Sequence, residues 1–366
     1  MNFQVETNIM PTTVINKAAF TDFLGTFIEE VGNRSVTEME ALKPLELKEI
    51  IQKSELTGLI IPEQYGGKGL NLVDVIQVIQ LVAEQAPSIA LMLCMHYHVV
   101  VTLALFTDII PEGEQILRDV AEKNALVASA FAEGVPGRDI FTSTVYAKPV
   151  EEGVLISGSK KPCTMTTVAD YYATSIVHYE DESSSGIAFV KQGQEGVITK
   201  EFWPSELLKA ADSNQVIFDN VMIPKAYMKL GSTEEMSAML SFGLAAFNLM
   251  IAAAYMGITT KLSKKLPEKI FGKKHIYVEL YGHILQAHYS TIGIAAELFQ
   301  SDDPETVANK ILVLRYRTQK TLKEIVAIVC ENIGGMNYLK DPEIPYLASV
   351  ANFIAFHPIN RSQFEA

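Results

Sequence analysis

The apolar positions of the chain change their period twice. From Asn16 to about Asn124 they recur at three- and four-residue spacing, as in Phe20, Phe23, Leu24 and Phe27, then Val75, Ile76, Ile79 and Val82, then Leu91, Leu93 and Cys94. Residues three and four apart share one helix face, so this spacing predicts amphipathic helices. Between Ala125 and Pro224 the pattern turns to short β-branched and aromatic runs, at residues 153–158, 171–177, 186–190 and 216–218, separated by turn residues such as those at 183–186. Runs of that kind predict the strands of a barrel or sandwich. From Met236 onward long helical periods return, broken at Pro267, Pro304 and Gly334-Gly335, which predicts a bundle of about four antiparallel helices. The expected architecture is α+β and multidomain: an N-terminal helical domain over 1–124, a middle β-domain over 125–224 and a C-terminal helical bundle over 225–366.

Composition narrows the partners. A chain of 366 residues is too long for one typical core and is expected to split into two or three packed units. With 48% hydrophobic and 20% charged residues it has the make-up of an ordinary soluble globular protein. A net charge of −13 sets it against nucleic acid and anionic membranes, both of which would repel it. The first fifteen residues show no basic segment followed by an apolar one, so no signal peptide is expected. The apolar stretch from Leu240 to Ile258 is interrupted by Ser241, Gly243 and Asn248, which suits a buried bundle helix better than a membrane span. Cys94, Cys163 and Cys330 are odd in number and widely spaced; they suggest neither a disulfide framework nor a zinc site, and a reducing cytoplasm is the expected home. His96 and His98 lie two residues apart on a predicted helix and therefore point to different faces, so no shared metal is expected.

Two segments carry a family resemblance. The run Ala130-Phe131-Ala132-Glu133-Gly134-Val135-Pro136-Gly137-Arg138-Asp139 and the stretch from Leu208 to Pro224 resemble the opening and the close of the small β-domain of the acyl-CoA dehydrogenase family. The loop from Gly58 to Leu70 is similar to a turn in that family's N-terminal helical domain. The resemblance implies FAD held at the seam of the three units, against the Cα–Cβ bond of an acyl thioester carried on coenzyme A or a carrier protein. It also implies a homodimer or homotetramer, because the family completes its flavin site with a neighbouring subunit.

Carried over residue by residue, the resemblance implies a flavin seat at Phe131, Ala132, Glu133 and Gly134, with the hydroxyl of Thr164 at the flavin edge. Pro162 stands where the family has a tryptophan covering the ring, so one wall of the site is expected to be open. Phe271, in Glu268-Lys269-Ile270-Phe271-Gly272, and Gly334 with Gly335, in the turn after Glu331, match the elements that reach the FAD of a neighbouring subunit. Glu268 and Glu331 replace an Arg and a Gln there, and a carboxylate repels a diphosphate. Arg138, His96 and Phe247 are the expected substrate contacts, Phe247 standing at the position where a minority of the family carries its catalytic base.

The family's usual base is a Glu in a Tyr-Glu-Gly string. Phe356-His357-Pro358 takes its place, so His357 is the expected proton acceptor, an imidazole whose ordinary pKa of about 6.5 suits neutral chemistry. Two classes of function follow. One is a flavin oxidoreductase: an acyl thioester α,β-dehydrogenase, or a monooxygenase of the same architecture that uses reduced flavin and oxygen. The other is an accessory protein that keeps the fold and an acyl-shaped cavity without turnover.

Overall fold

A computed structural model of the chain describes residues 14–134, 142–301 and 303–359; Arg138 and the rest of its motif from residue 135 onward lie outside the described residues. The N-terminal unit holds α1 (Thr21–Val31), α2 (Val36–Glu40), α3 (Pro44–Lys53), α4 (Leu72–Ala83), α5 (Pro87–Leu105) and α6 (Gly113–Lys123). Local sequence sets their starts. Ser35 and Glu38 cap α2 reciprocally, the Ser35 amide donating to Glu38 Oε2 at 2.7 Å and the Glu38 amide to Ser35 Oγ at 3.2 Å. Asn71 caps α4 by accepting the Asp74 amide at 2.9 Å. Pro87 opens α5, where its missing N–H costs nothing.

Among the described residues eight strands follow: β1 (Val127–Ala130), β2 (Tyr146–Val150), β3 (Gly153–Cys163), β4 (Tyr171–His178), β5 (Ser184–Lys191), β6 (Val197–Lys200), β7 (Asn214–Pro224) and β8 (Met228–Ser232). They form one sheet in the order β6-β7-β3-β2-β4-β5-β8, with β1 paired parallel to β4. β4 is buried along nearly its whole length, as a strand covered on both faces must be. The sheet runs to Ser232, eight residues past the expected close at Pro224, because β8 turns back to pair with β5 from Ser184↔Ser232 to Ala188↔Met228.

The C-terminal region holds α7 (Thr233–Ser263), α8 (Glu268–Phe271), α9 (Lys274–Leu298), α10 (Pro304–Asn332), α11 (Gly335–Lys340) and α12 (Glu343–Val350). Three long helices, α7, α9 and α10, and a shorter fourth, α12, make up the bundle of about four that the periodicity predicts. α7 is the axle: it packs on α4 and α5 of the first unit and on α9, α10 and α12 of its own. Gly257 permits the closest of these approaches, since a Cβ there would stand 2.1 Å from the Gln80 carbonyl oxygen of α4. The apolar windows of α5 and α7 are long enough to cross a membrane, but most of each is buried inside the protein. An ion pair and a hydrogen bond fasten the first unit to the last: Lys264 meets Glu84 at 2.5 Å, and the Val36 amide donates to Glu343 of α12, whose carboxylate also pairs with Lys265 of its own unit.

Candidate active site

The three units meet on one cavity of about 460 Å³. α5 contributes Leu91, Met95, His98 and Thr102; the β-domain contributes Phe131, Ala132, Glu133, Gly134, Pro162 and Thr164, with Trp203 and Ser213; α7 contributes Met239, Gly243, Phe247 and Tyr255. The strap after α12 closes the remaining side with Phe353, Phe356, His357 and Pro358.

The 131–134 segment is locked from beneath. The Lys161 amide donates to the Ala132 carbonyl at 2.9 Å, tying the segment to the end of β3. Lys160, fully buried, pairs with Glu133 and donates to Ser175 Oγ at 2.8 Å and Ser143 Oγ at 3.1 Å. Glu133 also accepts from the amide and hydroxyl of Thr144. Its carboxylate is therefore committed to structure. Gly134 turns the chain at φ +62°, and a Cβ there would come within 2.4 Å of Lys161 Cγ, so glycine is required both for the turn and for the fit. On the facing wall the hydroxyls of Thr164 and Ser213 lie 3.0 Å apart, both buried and both at the cavity surface.

These features fit the ring end of a flavin. A planar aromatic system finds flat apolar walls in Phe131, Pro162 and Trp203, a close-approach turn at Gly134, and a hydroxyl pair able to exchange its mutual bond for one to a ring heteroatom. Phe131 through Gly134, Thr164 and Ser213 are the residues that would hold it. The wall expected to be open at Pro162 is furnished from elsewhere: Lys161 lies with its Nζ 5.4 Å over the Phe202 ring, and the neighbouring Trp203 packs 6.1 Å from Phe353 of the strap.

Of the expected substrate and base residues, the structure brings Phe247 and His357 to the cavity and sends His96 elsewhere. The His96 ring is spanned between the Thr57 carbonyl, 3.0 Å from Nε2, and the Val127 amide, which donates to Nδ1 at 3.0 Å. It joins α5 to β1 and does not line the cavity. His98, two residues on and therefore on another face, does. Its ring stands between Phe247 and Phe131, at 5.4 and 6.4 Å, and its Nε2 meets no partner among the described residues. Burial, reinforced by His96, pulls its pKa down to about 3 against the opposing pull of the Gly243 carbonyl. His357 Nε2 lies 2.8 Å from the Tyr255 hydroxyl. Burial first, then the positive charge of Arg315, pulls the His357 pKa down to about 3. Burial also raises the Tyr255 phenol far above its ordinary value, so His98, His357 and Tyr255 are all uncharged at neutral pH. Gly334 and Gly335 sit exposed at the turn into α11 and do not line this cavity, and Phe271 ends α8. Lys68, in the glycine loop, pairs with Glu55 at 2.9 Å on the surface.

Helical, β and helical units closing on one flat-walled cavity define a flavin-dependent oxidoreductase fold. The chain belongs to the acyl-CoA dehydrogenase family. Residues 16–108 match the family model of the acyl-CoA dehydrogenase N-terminal domain. Isobutylamine N-hydroxylase of Streptomyces viridifaciens is 30% identical over 314 residues, which cover 83% of each protein. The mitochondrial isovaleryl-CoA dehydrogenase of Arabidopsis thaliana is 23% identical over 319 residues, 82% of this chain and 76% of that protein. The crystal structure of FMN-bound TdsC from Paenibacillus sp. A11-2 superposes with a TM-score of 0.80 over 95% of both chains at 18% identity. Relatives of this fold thus include both dehydrogenases and monooxygenases.

Proposed function

We propose that the protein is a flavin-dependent monooxygenase that hydroxylates the nitrogen of a small apolar primary amine. The observation that carries the reading is the state of the cavity's proton acceptors. Drawing a proton from the α-carbon of a thioester calls for a positioned base of substantial strength. Glu133 is spent on Lys160 and Thr144, and the two imidazoles have been pulled to a pKa of about 3, which makes them weak bases. Oxygen transfer to an amine needs a much weaker acceptor: an alkylammonium, with a pKa of about 10, has to give up an N–H proton, far more acidic than the α-carbon proton of a thioester, before the nitrogen lone pair acts as the nucleophile. Similarity to isobutylamine N-hydroxylase over 83% of the chain supports the same choice.

Bound reduced flavin would supply the two electrons that let one atom of O₂ go to the substrate and the other leave as water. In balance, amine, O₂ and reduced flavin give hydroxylamine, water and oxidised flavin. The chain's own residues do the rest. Leu91, Met95, Val99 and Leu103 offer an apolar arm that excludes water and accepts a short branched chain. His98 lines the cavity with an uncharged imidazole whose Nε2 is buried without a partner among the described residues, and the His357–Tyr255 pair offers a hydroxyl and a ring nitrogen that can hold or hand on a proton without building charge. The proposal places the enzyme in a reducing compartment, in keeping with its three free thiols.

The apolar arm also suits an acyl chain, so thioester dehydrogenation, with His357 as base, is the second reading. Purified protein mixed with chemically reduced flavin and oxygen in the presence of isobutylamine separates the two. Hydroxylamine formation above the protein-free rate supports the proposal; its absence, together with anaerobic bleaching of bound flavin by isovaleryl-CoA, overturns it.

A further inference from the structure

The strap that carries His357 is held by a residue far from it in sequence. Residues Ala351–Phe356 form a 3-10 turn after α12, and His357 follows in extended backbone at φ −73°, ψ 143°. Such a turn leaves its last carbonyls without partners along the chain. Its packing is incomplete, since Asn352 is exposed and Phe356 is 74% exposed. Yet this strap must bring the His357 ring to the Tyr255 hydroxyl and set Phe353 against Trp203.

Arg315 lies on the buried stripe of α10, in register with Ile311, Leu322, Ile325 and Val329, and is only 2% exposed. Its Nη1 donates to the Ile359 carbonyl at 2.6 Å, and its Nη2 donates to the carbonyls of Ile354 and His357 at 2.5 and 2.9 Å. The next residue adds a fourth tie, the Tyr316 hydroxyl donating to the Ile359 carbonyl at 2.8 Å, while its ring lies 5.4 Å from the guanidinium carbon. A buried cation is costly unless its donors are met; here the backbone of one segment meets both terminal nitrogens, while Nε is buried without a partner among the described residues. We infer that Arg315 is the positioning residue of the active site: its planar fork fastens the 354–359 strap over the cavity and fixes where His357 and Phe353 stand. Lysine cannot replace it, because a compact, strongly hydrated ammonium presents its donors from one point and does not span three carbonyls set for a planar fork.

Trp203 is the chain's single tryptophan and abuts the strap through Phe353, so it reads the strap's position with no flavin or substrate present. The inference concerns the strap and stands whether the reaction is monooxygenation or dehydrogenation. Arg315→Lys and Arg315→Met, in flavin-free protein, are expected to raise the acrylamide quenching of Trp203 about twofold and to speed chymotrypsin cleavage at Phe353 and Phe356 by about tenfold, as local opening of a strap that has lost its anchor predicts. Leu322→Ala, equally buried two turns along the same stripe, serves as the control: it should lower stability and leave both strap readouts unchanged. In the flavin-loaded enzyme Arg315→Lys should also divert more reduced flavin to hydrogen peroxide. Should Arg315→Met fail to fold, Arg315→Lys, which keeps the charge, decides the matter. Quenching and cleavage in Arg315→Lys equal to the parent, or shifted equally by Leu322→Ala, would show that Arg315 serves stability alone.

Discussion

Replacing Lys160 by methionine is expected to weaken both the β-domain and the flavin seat above it. Lys160 is fully buried, and the Glu133 side chain it pairs with is 3% exposed. Methionine fills the same volume but leaves the Glu133 carboxylate buried with Thr144 as its remaining donor among the described contacts. Breaking a buried pair in this way costs about 3–5 kcal/mol, because the orphaned charge has lost its compensation. For a transition with a urea m-value of about 3 kcal/mol/M, the midpoint should fall by roughly 1–1.7 M. The transition is best followed by Trp203 fluorescence and sheet circular dichroism together, since a chain of several packed units need not unfold in one step. Removing the second charge as well, in Lys160→Met with Glu133→Gln, should recover at least about half of the loss, since a neutral amide escapes most of the desolvation penalty. Flavin affinity should follow stability, as Glu133 forms part of the 131–134 seat. A midpoint within about 0.3 M of the parent for Lys160→Met, or a double variant no better than the single, would refute the claim that this pair holds the seat.

Other outcomes follow from the same geometry. Tyr255→Phe removes the hydroxyl from His357 Nε2 and should slow product formation about tenfold, with little change in flavin binding by fluorescence titration. His96, His98, His288 and His357 all have folded pKa values pulled to about 3 or 4, below the ordinary 6.5; the unfolded chain therefore binds more protons between those limits, and stability should be full above about pH 6.5 and fall as the pH drops toward 4. Equal urea midpoints at pH 5 and pH 7 would contradict that. Glu268 and Glu331, both exposed, are on the family resemblance the residues that replace the Arg and Gln at the FAD diphosphate, so FMN is expected to bind at least as tightly as FAD in parallel titrations. Val278, Tyr289 and Val313 are exposed on α9 and α10, and sedimentation should show a homodimer or homotetramer with these faces buried; a monomer at micromolar concentration would count against it.

The order of helical, β and helical units could be read from periodicity because each face repeats within a few residues and needs no knowledge of distant neighbours. The same local rule said that His96 and His98 diverge. It could not say which of them faces the cavity, because that depends on where β1 docks, and the Val127 amide claims His96. Trp203 was hidden for a similar reason: the family position at Pro162 reads as an open wall, and the replacement comes from a segment some forty residues later. Arg315 did leave a signal. An arginine at the buried phase of a helix, between Ile311 and Leu322, has to find acceptors in the interior, and the pattern alone marks it for scrutiny. What it grips, the carbonyls of residues 354–359, is visible only once α10 and the strap are side by side.

The most direct test of the central claim is a single-turnover experiment with flavin reduced anaerobically on the protein, then mixed with oxygen and isobutylamine, with hydroxylamine and hydrogen peroxide both measured. The account predicts hydroxylamine in proportion to the flavin oxidised, and little peroxide. Flavin oxidation that yields only peroxide across a panel of small apolar amines, with the same bound flavin bleached by an acyl thioester, would contradict it.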